Sequence, residues 1–330
     1  MANYTNTTGI ALPLAAFLAS DDYDYQEGHI SVTTLLKSVR QIVLGFRQTP
    51  DSIKYDIADL VSSRMGSAIH TAIEDVWTNP RKIVKALKSL GYPDAVISRI
   101  IVNPSEERLA AAGPMAIPVY LERRSVLEIE GFKVSGKFDF VAEGRVEDFK
   151  STSVYGYMNQ TNAQKYILQG SLYRLLNQDI ITQDTLRINY VFTDWSKASA
   201  RKDSRYPQSR TLSQVYPLLS IPDSENYVRT KLIQVKQLSN TAEEHLPKCT
   251  DEDLWRDSAV YKYYKNPEKL TRSTGNFDTY AEALTRYNAD GSVGVIKEVK
   301  GKVKACKYCK VAAICTQKDE YLQDGSLSLD

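Results

Sequence analysis

The 330-residue chain is poor in the residues that build disulfide scaffolds, with four cysteines, and it has only three histidines and four methionines. Four cysteines are too few to staple a fold of this size, and three of them crowd into one short segment. That pattern favours a metal site in a reducing compartment, the cytoplasm. No apolar run approaches the roughly 18 residues of a membrane span, so no membrane partner is expected. Ile10 to Ala19 is apolar enough for the core of an export signal, yet no Lys or Arg precedes Lys37, and the basic leader is missing. A large excess of one charge is also absent: 42 basic against 40 acidic residues leave a net charge of +2. Any surface for a polyanion must therefore be local. No Gly-x4-Gly-Lys-Ser/Thr segment occurs, which excludes a phosphate-binding loop of the motor type.

What is present is an ordinary globular composition, 42% apolar and 25% charged, with 21 tyrosines against eight phenylalanines. Residues 1–54 read as an arm followed by a helix, Ser31 to Gln48, with Ser31 as its N-cap. A second helix is expected from Tyr55 to Trp77, stopped by Asn79-Pro80. Strand-like patterns fill Ile117 to Lys150, with a continuous strand expected over Phe132 to Phe140. A helix at Thr161 to Asn177, a strand at Leu186 to Trp195, a basic loop at Ser196 to Arg210 and a long helix at Glu225 to Glu244 follow. This order predicts an α/β fold, a mixed β-sheet flanked by helices. Residues 55–245 form its core, and 246–330 a C-terminal segment carrying the cysteines.

The stretch Gly136 to Ser151 reads as a β-hairpin turning at Glu143-Gly144, with Gly supplying positive φ. If Ala142 pairs with Arg145, opposed residues have numbers summing to 287, and Asp139 faces Asp148. Their Cβ atoms then lie about 4.5–5.5 Å apart, with Lys150 on the same face as Asp148. Opposed like charges destabilise a hairpin, and a divalent cation compensates them. Taken alone, the stretch is equally readable as a solvated charged surface.

Neighbouring patterns favour the chemical reading. Gly66, His70 and Glu74 recur on one helix face, and Gly66 permits close approach of a strand or ligand. Gln169 and Tyr173 stand one turn apart on the helix after the acid-x-lysine strand. Phosphodiester hydrolysis needs a divalent ion held by oxygen ligands with at most one imidazole, and a cation to orient the attacking water, which Lys150 can supply. Cys306-x2-Cys309-x5-Cys315, with Cys249 lying 57 residues before the first, suits a metal centre. A [4Fe-4S] cluster and a structural Zn²⁺ both fit. Six lysines fall within residues 297–310. Among them Lys300, Lys302, Lys304 and Lys307 are candidate backbone-phosphate contacts, as are Lys197, Arg201 and Lys202 of the basic loop.

Gly66-x3-His70-x3-Glu74, Gly136-Lys137-Phe138-Asp139, Asp148-Phe149-Lys150 and Gln169-x3-Tyr173 appear in an order that resembles the PD-(D/E)XK nucleases of the RecB-like branch. That branch includes the RecB and AddB nuclease domains, iron–sulfur CRISPR-associated exonucleases and many phage exonucleases. The resemblance implies a restriction-endonuclease-like core and a Mg²⁺- or Mn²⁺-dependent DNA exonuclease of recombination or DNA processing. It implies His70, Asp139, Asp148 and the Phe149 carbonyl as metal ligands, Lys150 as the residue that handles water, and Gln169 and Tyr173 as supports. The cysteines resemble the iron–sulfur staple of that branch, although there the isolated cysteine usually precedes the core, whereas Cys249 follows it. DNA ends, single- or double-stranded, are the implied substrate, with a recombination protein or helicase as a further partner. An endonuclease or end-trimming nuclease of the same fold is the alternative. A non-catalytic nucleic-acid-binding scaffold is a second one, against which the intact acids and lysine argue.

Overall fold

The computed structural model describes residues 3–20, 26–48 and 54–328, so part of the expected N-terminal arm, residues 21–25, lies outside the described residues. The chain divides into two compact units, residues 1–36 with 50–234, and residues 37–49 with 235–330.

In chain order the first elements are β1 (Asn3–Thr5), α1 (Leu12–Ala19), β2 (His29–Ser31), α2 (Val32–Leu35) and α3 (Val39–Arg47). The single helix expected over residues 31–48 is thus two. Ser38 caps a fresh start: its hydroxyl accepts from Gln41 N–H while the Gln41 side chain accepts from Ser38 N–H, a capping box. After β3 (Lys54–Asp56), Asp56 accepts from Ala58 N–H and opens a 3-10 turn, Ile57–Leu60, so the following helix α4 (Val61–Thr78) begins later than expected.

Then come α5 (Pro80–Ser89), α6 (Asp94–Ile97), β4 (Ile100–Val102), α7 (Glu106–Ala112), β5 (Ile117–Leu121), β6 (Arg124–Ile129) and β7 (Phe132–Lys137). The strand expected over residues 132–140 breaks at Phe138-Asp139, and β8 (Phe140–Ala142) belongs to another sheet. The hairpin partner β9 (Arg145–Thr152) leads to α8 (Val154–Met158), α9 (Ala163–Leu176), β10 (Thr185–Phe192), α10 (Lys197–Lys202), β11 (Thr211–Pro217) and α11 (Ile221–Leu238). The basic segment expected to be a loop therefore holds a short helix, capped by Ser196 accepting from Ser199 N–H.

Unit 1 is built on a six-stranded mixed sheet, ordered β11-β10-β9-β8-β5-β4, and a three-stranded sheet, β2-β7-β6. The parallel pair β9 and β10 is joined by α9, as a crossover requires. Leu186, Ile188, Tyr190 and Phe192 are buried along β10, and Val146 and Asp148 on β9 face the same core. Gly136 lets α9 seat on β7: a side chain there would meet Leu176 at 2.8 Å, Val32 at 2.9 Å and Tyr173 at 3.1 Å.

Unit 2 contains α3, the end of α11, a three-stranded antiparallel sheet of β12 (Val260–Tyr264), β13 (Gly275–Phe277) and β14 (Val295–Val299), the helix α12 (Tyr280–Ala289) and α13 (Thr316–Gln323). Arg47 fixes α3 by donating to the carbonyls of Leu238 (3.1 Å), Ser239 (2.9 Å) and Thr241 (2.6 Å). Among the described residues no helix is long and apolar enough to cross a membrane.

Ile188 is fully buried and pairs in register with Asp148. Ile188→Ala should lower stability by about 2–5 kcal/mol in urea unfolding; a loss below about 1 kcal/mol would contradict the packing described.

Candidate active site and cysteine centre

The hairpin turn sets the site. Glu143 (φ 50°) and Gly144 (φ 76°) both take positive φ, the backbone of a two-residue turn whose twist matches the strands. Ala142 then faces Arg145, Val141 faces Val146 and Phe140 faces Glu147. Continuing that register places Asp139 opposite Asp148, although Asp139 lies in the bend before β8. Asp139 Oδ2 accepts from Phe149 N–H at 3.2 Å.

Burial pushes the Asp148 carboxyl up, opposed by the Lys150 ammonium and reinforced by Asp139. Burial also works against ionisation of Asp139, but His70 and the Lys150 ammonium hold its carboxyl below the usual range.

Lys150 follows from strand alternation. Its Nζ stands 2.5 Å from Asp148 Oδ2 and donates to Gln169 Oε1 at 3.5 Å. Gln169 Nε2 donates to the Tyr173 hydroxyl at 2.9 Å, and the Tyr166 ring lies 5.5 Å from the ammonium. Burial works against this ammonium, but Asp148 and Asp139 keep it charged. Helix α9 thus presents Tyr166, Gln169 and Tyr173 at helical spacing towards one cation.

The other face of β9 meets α4. Gly66 makes this possible, since a Cβ there would stand 3.2 Å from Ser151 Oγ. One turn on, His70 Nε2 donates to the Phe149 carbonyl at 2.8 Å, and Nδ1 faces Asp139 Oδ1 at 3.3 Å. Burial disfavours the imidazolium, but the Asp139 carboxylate more than offsets it and raises His70 to about 9.

Sequence reasoning missed Glu122. It follows β5 at φ 53°, its N–H donates to the Asp139 carbonyl at 3.3 Å, and its carboxylate meets Lys137 Nζ at 2.5 Å. His70, Glu122 and Asp139 each offer a ligand atom within 4.8 Å of the others, the only such group of three among the described residues. Two carboxylates and one imidazole, with the Phe149 carbonyl alongside, suit a hard divalent ion such as Mg²⁺ or Mn²⁺. Asp148 lies outside that trio, turned towards Lys150. Beside Arg123 and Arg124, Glu122 looks in sequence like half of a surface ion pair.

The four cysteines are unpaired and line one cavity in unit 2 together with Arg40, Gln41 and Gln317. Cys249 is fastened there by Gln317, whose Oε1 accepts from Cys249 N–H at 2.9 Å and whose Nε2 donates to its carbonyl at 3.1 Å. Among the described residues, no three of the sulfurs gather within 4.8 Å of one another.

The candidate phosphate contacts divide. Lys300 pairs with Asp324 at 3.7 Å, Lys302 donates to the Gly325 carbonyl at 2.7 Å, and Lys304 pairs with Asp257. Those three are engaged by acids and a carbonyl that the linear run does not reveal. Lys307 sits in the 3-10 turn Ala305–Tyr308 beside the cysteines. Lys197, Arg201 and Lys202 are exposed on α10, where no carboxylate pairs with them among the described residues.

A family model described as the PD-(D/E)XK nuclease superfamily matches residues 40–316. No curated protein matches the chain. Among solved structures, one titled "Crystal structure of SSO0001" is similar at a TM-score of 0.37 and 13% identity, over 68% of this chain and 83% of that one.

Glu122→Gln keeps the size of the side chain and removes its charge. It should weaken Mn²⁺ binding, followed by calorimetry, by at least about tenfold, roughly 1.4 kcal/mol; wild-type affinity would remove Glu122 from the ligand set.

Proposed function

The chain belongs to the PD-(D/E)XK nuclease superfamily, and from that premise we propose that it is a metal-dependent DNA exonuclease acting in recombination or DNA processing. The observation that carries this reading is the convergence of four elements. α4 brings His70, the bend before β8 brings Asp139, β9 brings Asp148, the Phe149 carbonyl and Lys150, and α9 brings Gln169.

His70, Asp139 and Glu122, with Asp148 and the Phe149 carbonyl beside them, are the residues that would hold Mg²⁺ or Mn²⁺. A bound divalent ion supplies Lewis acidity to the scissile phosphate and lowers the pKa of a water. Lys150 contributes a fixed ammonium that orients the attacking water and meets developing negative charge. Gln169 aims that ammonium, and Tyr173 in turn holds Gln169. Asp148, screened from water at 3% exposure, keeps Lys150 charged and in place.

The motif order supports the RecB-like branch. The four cysteines lining one cavity support a [4Fe-4S] cluster like the staple of that branch, with structural Zn²⁺ as the alternative. Exposed Lys197, Arg201 and Lys202 are the favoured contacts to the DNA backbone.

Lys150→Ala and Asp148→Ala should each reduce Mg²⁺-dependent release of nucleotides from linear DNA by about 10²-fold or more, with the circular dichroism spectrum unchanged. Wild-type activity in either variant would refute the assignment. Replacing Lys197, Arg201 and Lys202 by Ser should flatten the slope of log affinity against log salt by roughly 0.9 for each phosphate no longer neutralised; an unchanged slope would remove α10 from the DNA path.

A further inference from the structure

The first turn of α3 faces sulfur. Ser38 Oγ stands 3.2 Å from Cys249 Sγ, Arg40 Nε donates to Cys315 Sγ at 3.2 Å, and Gln41 Nε2 donates to Cys309 Sγ at 3.6 Å. One turn of helix thus serves three of the four sulfurs, across more than 200 residues of chain.

Arg40 is the centre of this arrangement. It is 2% exposed, and its Nη1 donates to the Leu246 carbonyl at 3.1 Å while Nη2 pairs with Glu243. Glu243 Oε1 also accepts from Thr316 N–H at 3.1 Å, the residue after Cys315, so the guanidinium is held on three sides. A neutral thiol is a weak acceptor, and a buried guanidinium that commits a donor to one is poorly repaid unless the sulfur is a thiolate. A buried cation and a helix N-terminus both stand beside the sulfurs, and each favours thiolate over thiol.

We propose that Arg40, with Ser38 and Gln41, forms the hydrogen-bonding cradle of the cysteine centre and holds it at a raised reduction potential. The proposal rests on the reading of the four cysteines as ligands of an iron–sulfur cluster. Each electron added to such a cluster adds negative charge, which donors to sulfur and a nearby guanidinium stabilise. Removing them must lower the potential.

The test uses the full chain purified without oxygen, with iron and sulfide content, visible absorption and a dithionite titration. Wild-type protein should be brown and carry iron. Arg40→Gln should shift the reduction equilibrium about tenfold against the reduced form, about 59 mV for one electron. Gln41→Met should shift it less in the same direction, and Arg40→Lys should recover part of the loss. Loaded variants with the wild-type potential would overturn the role of the cradle while leaving the cluster standing. A colourless, iron-free wild type would overturn the cluster and this role together. Should Arg40→Gln fail to load, Gln41→Met decides: a lowered potential supports the cradle, and an unchanged one refutes it.

Discussion

Two carboxyl groups set against one another, out of water, are the constraint on which unit 1 depends. A two-residue turn with positive φ at Glu143 and Gly144 fixes the register, and the register brings Asp139 and Asp148 together. Neither acid would tolerate this alone, because burial opposes both charges. Lys150, His70 and the Phe149 N–H compensate, and each comes from or leans on β9. The glycines follow from the same demand: Gly66 admits α4 to β9, and Gly136 admits α9 to β7.

Part of this was legible in the sequence because it obeys local rules. A Glu-Gly turn between aromatic strands sets a register without tertiary information, and strand alternation then puts Lys150 beside Asp148. Helical spacing placed Gln169 and Tyr173 on one face. Glu122 was not legible, since it arrives by a left-handed residue at a strand exit, and no periodicity marks such a position. The break at Phe138-Asp139 was hidden for a related reason: an apolar run reads as one strand even when its halves pair in different sheets. Ser38 was not read as a cap, because a run of apolar residues from Val32 to Phe46 masks the new start it makes.

Long-range pairing explains the rest. The lysine run after Val295 looks free in a linear reading, yet Asp257 and Asp324, distant in sequence, take up Lys304 and Lys300. Cys249 is ambiguous by spacing, and it reaches the cavity of the other three through Gln317. The placement of α3 in unit 2 makes the cysteine segment more than a tail, because an early helix supplies its donors.

The central claim is that the acids, the imidazole and Lys150 form one hydrolytic site acting at DNA ends. End-labelled linear DNA and covalently closed circular DNA, each incubated with the wild-type protein and Mg²⁺ or Mn²⁺, test it most directly. The account predicts mononucleotides or short oligonucleotides from the linear substrate, an intact circle, and no release in EDTA. Binding of both substrates with no cleavage of either in either metal would contradict it.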